Sequence, residues 1–190
     1  MEAIKYRGFK IKPDYDEYPE SPREWDNIGK LCMFSRSHCF PNESDYKDYD
    51  ELMKFIKKES YVYCDVYKYE HSGICLNTTG FCDRWDSGLI GVIYVDKKTL
   101  LEEFKWVTSI GKEDVLQRLL KEEVETYSKF LSGECYDYTT EDANGNRISG
   151  CCGYFDYDEV IIRAKEELDC HIKYLNLEYL PGFEIAKEEG

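Results

Sequence analysis

The stretch from His71 to Val95 holds the densest set of side chains that could do chemistry. It combines an imidazole, two carboxylates, a guanidinium and an indole, and it leads directly into the apolar run Val92-Ile93-Tyr94-Val95. Polar groups that converge in a loop beside a central strand are typical of a ligand pocket or of a hydrolase. The side chains that would line such a pocket are His71, Asn77, Thr78, Asp83, Arg84, Trp85 and Asp86.

The same stretch also has a purely structural interpretation. Asparagine, threonine, aspartate and serine side chains often bond their own backbone and thereby stabilise irregular loops. The segment could therefore be a compact loop pinned by Phe81 and Trp85. It contains neither GxGxxG nor GxxxxGK[ST], so no known phosphate-binding loop is indicated. We assign no catalytic residue from the sequence.

Cysteine and histidine could supply metal ligands, because the chain has nine cysteines and three histidines. The nearest groupings are Cys32 and Cys39 with His38, and Cys75 with Cys82. Structural zinc sites usually pair their ligands two to four residues apart, which these groupings do not do. Free thiols are common in protein cores. We therefore expect neither a metal nor a cofactor.

Acidic residues are in large excess and interleave with tyrosine. There are 39 acidic and 25 basic residues, for a formal net charge of −14. Nucleic acids and anionic membranes repel such a polyanion, which leaves basic proteins or cations as partners. The acids and tyrosines could simply form a solvated surface, or they could form a contact surface for arginine and lysine. The residues of that contact surface are Asp14, Tyr15, Asp16, Glu17, Tyr18, Asp45, Tyr46, Asp48, Tyr49, Asp50, Asp137 and Tyr138.

Hydrophobic periodicity and turn residues predict the elements that position these side chains. Strands are predicted at 4–11 (bent at Gly8), 30–34, 61–70, 74–76, 89–95, 135–140 and 148–155. Helices are predicted from Pro22 to Gly29, in the second half of 45–59, from Asp96 to Phe104, over 112–131, and from an Asp158 cap to Pro181. Residues 13–22 and 35–44 are predicted loops. Asn144-Gly145 is a strong hairpin signal.

Frequent hairpins indicate an antiparallel or mixed sheet with helices packed on it, which is an α+β fold. A length of 190 residues predicts one domain over residues 1–190. Lys5, Arg7 and Lys10 interrupt the apolar start of the chain, so we expect no signal peptide and a cytoplasmic protein with reduced thiols. No apolar run approaches the length of a membrane span.

Three segments together resemble a family of uncharacterised proteins of bacteriophages and mobile elements. They are Pro22-Arg23-Glu24-Trp25-Asp26-Asn27-Ile28-Gly29, the motifs HSG, NTTGF, WDSG and GVIYV between His71 and Val95, and Glu123-Val124-Glu125-Thr126-Tyr127. The resemblance implies no known activity. It implies a context, since small acidic phage proteins often bind host proteins and inhibit defence systems.

The leading hypothesis is a non-enzymatic accessory protein that binds and inhibits a basic, nucleic-acid-binding host defence protein. Its acids would compete for a nucleic-acid groove, as in anti-CRISPR or anti-restriction proteins that mimic DNA. The alternative is a small-ligand-binding protein or hydrolase that uses the loop from His71 to Ser87. A third hypothesis is an assembly protein with a merely solubilising surface. The sequence does not name the partner or the oligomeric state.

Overall fold

The computed structural model describes residues 1–35, 38, 40–83, 85–96 and 112–175. In chain order its strands are β1 (Ile4–Tyr6), β2 (Phe9–Tyr15), β3 (Lys30–Met33), β4 (Val62–Glu70), β5 (Ile74–Asn77), β6 (Ser87–Val95), β7 (Tyr136–Glu141) and β8 (Arg147–Tyr154). Its helices are α1 (Tyr49–Glu59), α2 (Lys112–Ser132) and α3 (Tyr157–Tyr174). The described strands form two antiparallel sheets, so the predicted α+β class is confirmed.

The chain forms two compact units. Met1–Glu20 and Gly133–Gly190 form the terminal unit, and Ser21–Ser132 form the central unit. The prediction of one domain over residues 1–190 did not foresee this division. Within the described residues, none of the helices combines the length and the apolar character that a membrane crossing requires.

The terminal unit is a four-stranded sheet in the order β1-β2-β7-β8, and α3 packs on it. Residues alternate along β2, so that Phe9, Ile11 and Pro13 are buried while Lys10, Lys12 and Asp14 are exposed. The core between sheet and helix consists of Phe9, Ile11, Tyr138, Val160, Ala164, Leu168 and Ile172. Successive side chains along a strand point to opposite faces of the sheet. Asp14 therefore lies on the face away from α3, with Lys10 and Lys12.

Three boundary predictions in the terminal unit are corrected. The predicted bent strand is a hairpin, because Arg7 (φ 48°) and Gly8 (φ 87°) both take the left-handed conformation that tight hairpins require. The predicted loop starts later than residue 13, because β2 continues through Pro13. Proline has no N–H to donate, and this is tolerated here because Pro13 lies beyond the last residue of β2 that pairs with β1. Helix α3 begins two residues earlier than predicted, because Asp156 and not Asp158 is the N-cap. The Asp156 side chain accepts hydrogen bonds from the N–H groups of Asp158 and Glu159.

The central unit is a sheet in the order β3-β6-β4-β5 with helices on both faces. Strand β6 pairs with both β3 and β4, which confirms the prediction that its apolar run is central. Ile93 and Val95 face α2, whereas Val92 and Tyr94 face α1. The apolar stripe of α2 is buried as predicted, through Leu116, Leu120, Val124 and Tyr127.

A guanidinium joins three parts of the central unit. The predicted helix after Ser21 is a single 3₁₀ turn, Pro22–Glu24, because the chain is already extended at Trp25. Arg23 donates hydrogen bonds to Glu43 at 2.9 and 2.8 Å, to Glu123 at 2.9 Å, and to the carbonyl of Gly29 at 2.6 Å.

The two carboxylates of this network also serve the backbone. Glu123 Oε1 accepts the N–H groups of Ile28 and Gly29 at 2.9 and 3.1 Å, and Glu43 Oε2 accepts that of Leu31 at 3.0 Å. Burial opposes the charged form of Arg23, but the hydrogen bonds and charges of Glu43 and Glu123 outweigh it and raise the pKa of Arg23. The network therefore fixes where the chain enters β3.

Some predictions lie outside the described residues. These are the helix from Asp96 to Phe104 and the end of the last helix at Pro181-Gly182. The predicted hairpin at Asn144-Gly145 is confirmed, since β7 and β8 pair on either side of it.

Gly91→Ala is expected to destabilise the central unit by about 2 kcal/mol, because a Cβ at Gly91 would collide with the carbonyl oxygen of Cys32 on β3. Gly88→Ala in the same strand is the matched control, since a Cβ there meets open space. Urea unfolding followed by tryptophan fluorescence measures the change, because all three tryptophans lie between residues 21 and 132. Equal stability of the two variants would contradict the close approach of β3 and β6.

Arg23→Met is expected to lower the free energy of unfolding by about 3 kcal/mol, because it leaves Glu123 partly buried without its counter-charge. The side chains of Arg23 and Glu123 are only 7% and 15% exposed. Arg118→Met is the control, since Arg118 and Glu122 form an exposed pair on α2 that contributes little. The same urea titration applies, and a loss no larger than that of Arg118→Met would refute the assigned role.

Candidate functional site

Pairing of β2 with β7 gathers acidic residues of the terminal unit. Asp14 lies opposite Asp137 in the register of the two strands, and Tyr15 lies opposite Tyr136. The following residues Asp16, Glu17 and Tyr18 continue from the end of β2. We call Asp14, Asp16, Glu17, Tyr18 and Asp137 the Asp14–Asp137 surface.

Like charges are crowded on this surface. The pKa of Asp137 is raised, first by burial, then by the neighbouring charges of Asp16 and Asp14. Directly opposed like charges in an antiparallel pair destabilise the sheet. Arg147 offsets part of this repulsion, so the fold keeps these carboxylates together at a small energetic cost.

Backbone contacts hold part of the surface in place. Asp16 Oδ1 accepts the N–H of Tyr18 at 3.0 Å. Asp16 Oδ2 accepts the N–H of Gly153 on β8 at 3.2 Å. The backbone N–H of Asp16 in turn donates to the carbonyl of Cys135 at 2.9 Å. The segment after β2 is therefore anchored, and its carboxylates have a defined position.

The predicted tyrosines divide between surface and core. Tyr18 is 88% exposed, and its ring is available beside the acids. Tyr15 is 57% exposed, but its ring packs against Tyr136 at 5.5 Å between centroids, on the face opposite Asp14. Tyr138 was predicted as a contact residue and this is wrong, because it is 3% exposed and its hydroxyl donates to Glu167 at 2.7 Å.

The acid–tyrosine segment at 45–50 belongs to the central unit and is mainly structural. Asp48 caps α1 by accepting the N–H of Glu51 at 2.8 Å. The Tyr49 hydroxyl donates to Asp65 at 2.7 Å, and burial together with that carboxylate raises the pKa of Tyr49. Tyr46 packs on Phe55 at 5.4 Å, while Asp45 and Asp50 stay exposed.

Polar side chains near both ends of the loop after β5 are hydrogen-bonded to the loop's own backbone. Asn77 Oδ1 accepts the N–H groups of Thr79 and Gly80 at 3.2 and 2.7 Å. Asp83 Oδ1 accepts those of Trp85 and Asp86 at 2.8 and 3.2 Å. Arg84 lies outside the described residues. These contacts support the structural interpretation of Asn77 and Asp83.

His71 and Asp86 do come together. His71 Nδ1 lies 3.1 Å from Asp86 Oδ2, and the imidazole is 72% exposed. A hydrolase of the thiol or hydroxyl type also needs a nucleophile next to the imidazole. In the part of the chain that the structure describes, no serine or cysteine side chain is hydrogen-bonded to His71.

Trp85 and Asp86 line a polar groove of about 510 Å³ with Lys68, Glu70 and Leu89. Trp85 is 95% exposed, so it does not pin the loop as predicted. His38 Nε2 lies 3.2 Å from Glu70, and Lys68 also pairs with Glu70. The groove can bind polar groups, but His71, Asp83 and Asn77 are not among its lining residues.

Burial makes the core thiols unreactive. Cys32 and Cys64 are buried, and burial raises the pKa of both thiols. Cys82 is exposed and Cys39 lies outside the described residues. Within residues 1–35, 38, 40–83, 85–96 and 112–175, no three His, Cys, Asp or Glu side chains are placed to hold one metal ion.

Sequence patterns missed one cavity in the central unit. Tyr46, Phe55, Tyr61 and Tyr94 line it together with Asp45 and Asp96. Tyr61 precedes β4, and Tyr94 lies on β6. The alternation of tyrosine along β4 was visible in the sequence, but the cavity depends on the pairing of β4 with β6 and on the position of α1.

Asp137→Asn is expected to stabilise the terminal unit by about 0.5 kcal/mol at pH 7. The folded state raises the pKa of Asp137 and so binds its proton more tightly than the unfolded chain, which means that stability falls as pH rises past 3.8 through the raised value. The gain should vanish at about pH 3, where both states are protonated.

Hydrogen exchange of the β2 and β7 amides measures this difference within the terminal unit. Glu20→Gln is the control, because Glu20 is exposed in the same unit and the same carboxyl-to-amide change occurs there. A loss of protection in Asp137→Asn at pH 7 would contradict the crowding of like charges.

No family model matches the chain, and neither a curated protein nor a solved structure matches it.

Proposed function

We propose that the chain binds a basic protein through the Asp14–Asp137 surface and acts by that association rather than by catalysis. The observation that carries the proposal is the opposition of Asp14 and Asp137 in the β2–β7 register, with Asp16 close enough to help raise the pKa of Asp137. A cationic partner would replace this repulsion by attraction.

Energetic reasons favour a partner over a purely solvating surface. A solvated face is most stable with both signs of charge interspersed, as where Lys12 pairs with Glu141 on the same sheet at 2.5 Å. Lys12 shares the exposed face of β2 with Asp14, and Arg147 partly offsets the repulsion at Asp137, but the charges of Asp14 and Asp16 still contribute to a raised pKa of Asp137. Tyr18 offers ring area with a polar tip beside these acids. The net charge of −14 would speed encounter with a basic partner.

The partner we propose is a nucleic-acid-binding host defence protein, and the chain would be a phage-type inhibitor of it. The carboxylates of Asp14 and Asp137 on the sheet, with those of Asp16 and Glu17 after β2, could occupy a groove that is positively charged for a phosphate backbone. Binding would then exclude nucleic acid by direct competition. The resemblance of three segments to proteins of bacteriophages supports this context.

The test compares a variant with Asp14→Asn, Glu17→Gln and Asp137→Asn against the native chain in capture from host lysate. Asp16 is left unchanged because it also holds Gly153. We expect the native chain to capture a nucleic-acid-binding protein that duplex DNA displaces. Capture should weaken at least tenfold between about 50 and about 200 mM salt, and again at least tenfold in the variant.

A variant with Glu24→Gln, Asp26→Asn and Glu125→Gln is the matched control, because it removes the same charge from exposed positions of the central unit. Net charge alone predicts equal losses in the two variants. The proposal would be overturned if the variant with Asp14→Asn, Glu17→Gln and Asp137→Asn still retained the partner, or if the affinity of the native chain for the partner did not fall with salt.

A further inference from the structure

The central unit contains a second feature suited to cations, which is the cavity beside α1. Its volume is about 500 Å³, within the range of ligand pockets. Four aromatic rings and several carboxylates line it. We call it the aromatic pocket and define it by Tyr46, Phe55, Tyr61, Tyr94, Asp45 and Asp96.

The rings of the aromatic pocket form walls at different angles. Tyr61 and Tyr94 are nearly parallel, with 5° between their planes and 5.9 Å between centroids. Phe55 stands at 84° to Tyr61 at 5.5 Å, and Tyr46 packs on Phe55 at 5.4 Å. The face of an aromatic ring carries partial negative charge and attracts cations.

A cation is already stabilised at the rim. Lys30 Nζ lies 2.9 Å from Asp96 Oδ2, and the hydrogen bond that Lys30 donates to Asp96, together with the charge of Asp96, raises the pKa of Lys30. The pKa of Tyr94 is raised to about 12 by burial and by negative neighbours that include Asp96. The Lys30 shift reports the negative charge of Asp96 at the rim, whereas the Tyr94 shift reports mainly burial.

One carboxylate of the pocket has no partner within the described part of the chain. Asp45 is exposed, and no hydrogen bond or ion pair engages its side chain there. Glu43, which also lines the cavity, is held by Arg23, and Asp96 is held by Lys30. Asp45 is therefore the group available to a ligand.

We propose that the aromatic pocket binds the guanidinium group of one arginine side chain, stacked on a ring and hydrogen-bonded to Asp45. A guanidinium is planar, donates in a fixed fork to carboxylates, is weakly hydrated and stacks on aromatic faces, whereas an ammonium is a strongly hydrated point charge. An anion is disfavoured because three carboxylates and one lysine line the cavity. The inference rests on the proposed function only for the source of the arginine, a basic partner, because such anchors dominate many interfaces.

The experiment titrates N-acetyl-arginine amide into the native full-length chain and follows backbone amide shifts by NMR. The parallel arms are N-acetyl-citrulline amide, a neutral isostere, N-acetyl-lysine amide, and tetramethylammonium. We expect arginine to shift the amides around Tyr46, Tyr61 and Tyr94, and to bind about tenfold more tightly than citrulline. Lysine and tetramethylammonium should bind more weakly than arginine.

Asp45→Asn should weaken arginine binding about fivefold, because it removes the charge-assisted hydrogen bond. Asp26→Asn is the matched control in the same unit, since Asp26 is exposed outside the pocket. Tyr46→Leu, which keeps an apolar side chain against Phe55, should weaken binding independently of charge. If Tyr46→Leu unfolds, the comparison of arginine binding by Asp45→Asn and by Asp26→Asn still tests the inference.

Equal binding of arginine and citrulline, shifts outside the pocket, or equal loss in Asp45→Asn and Asp26→Asn would overturn the inference. Tighter binding of tetramethylammonium than of arginine would overturn the guanidinium assignment. These results do not involve a protein partner. If arginine binds the pocket but the variant with Asp14→Asn, Glu17→Gln and Asp137→Asn captures the partner normally, only the proposed function is refuted. If that variant loses the partner but arginine does not bind the pocket, only the arginine-binding inference is refuted.

Discussion

The central unit depends on one buried guanidinium. Arg23 reaches Glu43, Glu123 and the carbonyl of Gly29, and the two carboxylates bind backbone N–H groups of Ile28, Gly29 and Leu31. Charged groups with so little exposure are tolerated only when paired and hydrogen-bonded. The network sets the path into β3, and β3 in turn must pass close to Gly91 for β6 to be central. The sheet that carries the aromatic pocket follows from that geometry.

Paired acids and crowded acids have opposite effects on the stability of the fold. In the central unit, Arg23 pairs with Glu43 and Glu123, Lys30 pairs with Asp96, and Asp48 caps α1, so that these four acids stabilise the fold. In the terminal unit, Asp14 and Asp137 face each other across a strand pair and raise the energy of the folded state. Stability selects the first arrangement, whereas the second is retained at a cost. This contrast is the physical reason for placing the proposed partner-binding surface in the terminal unit.

Local patterns predicted most elements, because periodicity and turn chemistry act over a few residues. The helix over 112–131, the central strand ending at Val95 and the hairpin around Gly145 were all predicted and confirmed. Predictions failed where residues distant in sequence determine the path of the chain or the burial of a side chain. Ser21 and Pro22 favour a helix start, yet Arg23 and Glu123, far apart in sequence, hold the chain in another path. Tyr138 reads as surface beside Asp137, yet Glu167 and the α3 core bury it.

The charge excess, the apolar stripes, the capping residues and the acid–tyrosine segments can all be read from the amino-acid sequence. These properties depend only on residue type and short spacing. Which acids come together depends on the folded chain, because the β2–β7 register joins residues more than a hundred positions apart. The tertiary structure also decided that Asn77 and Asp83 bind their own backbone, and that Tyr61 and Tyr94 share a pocket. Strand pairing and side-chain orientation are set by packing over the whole unit, and no local pattern encodes them.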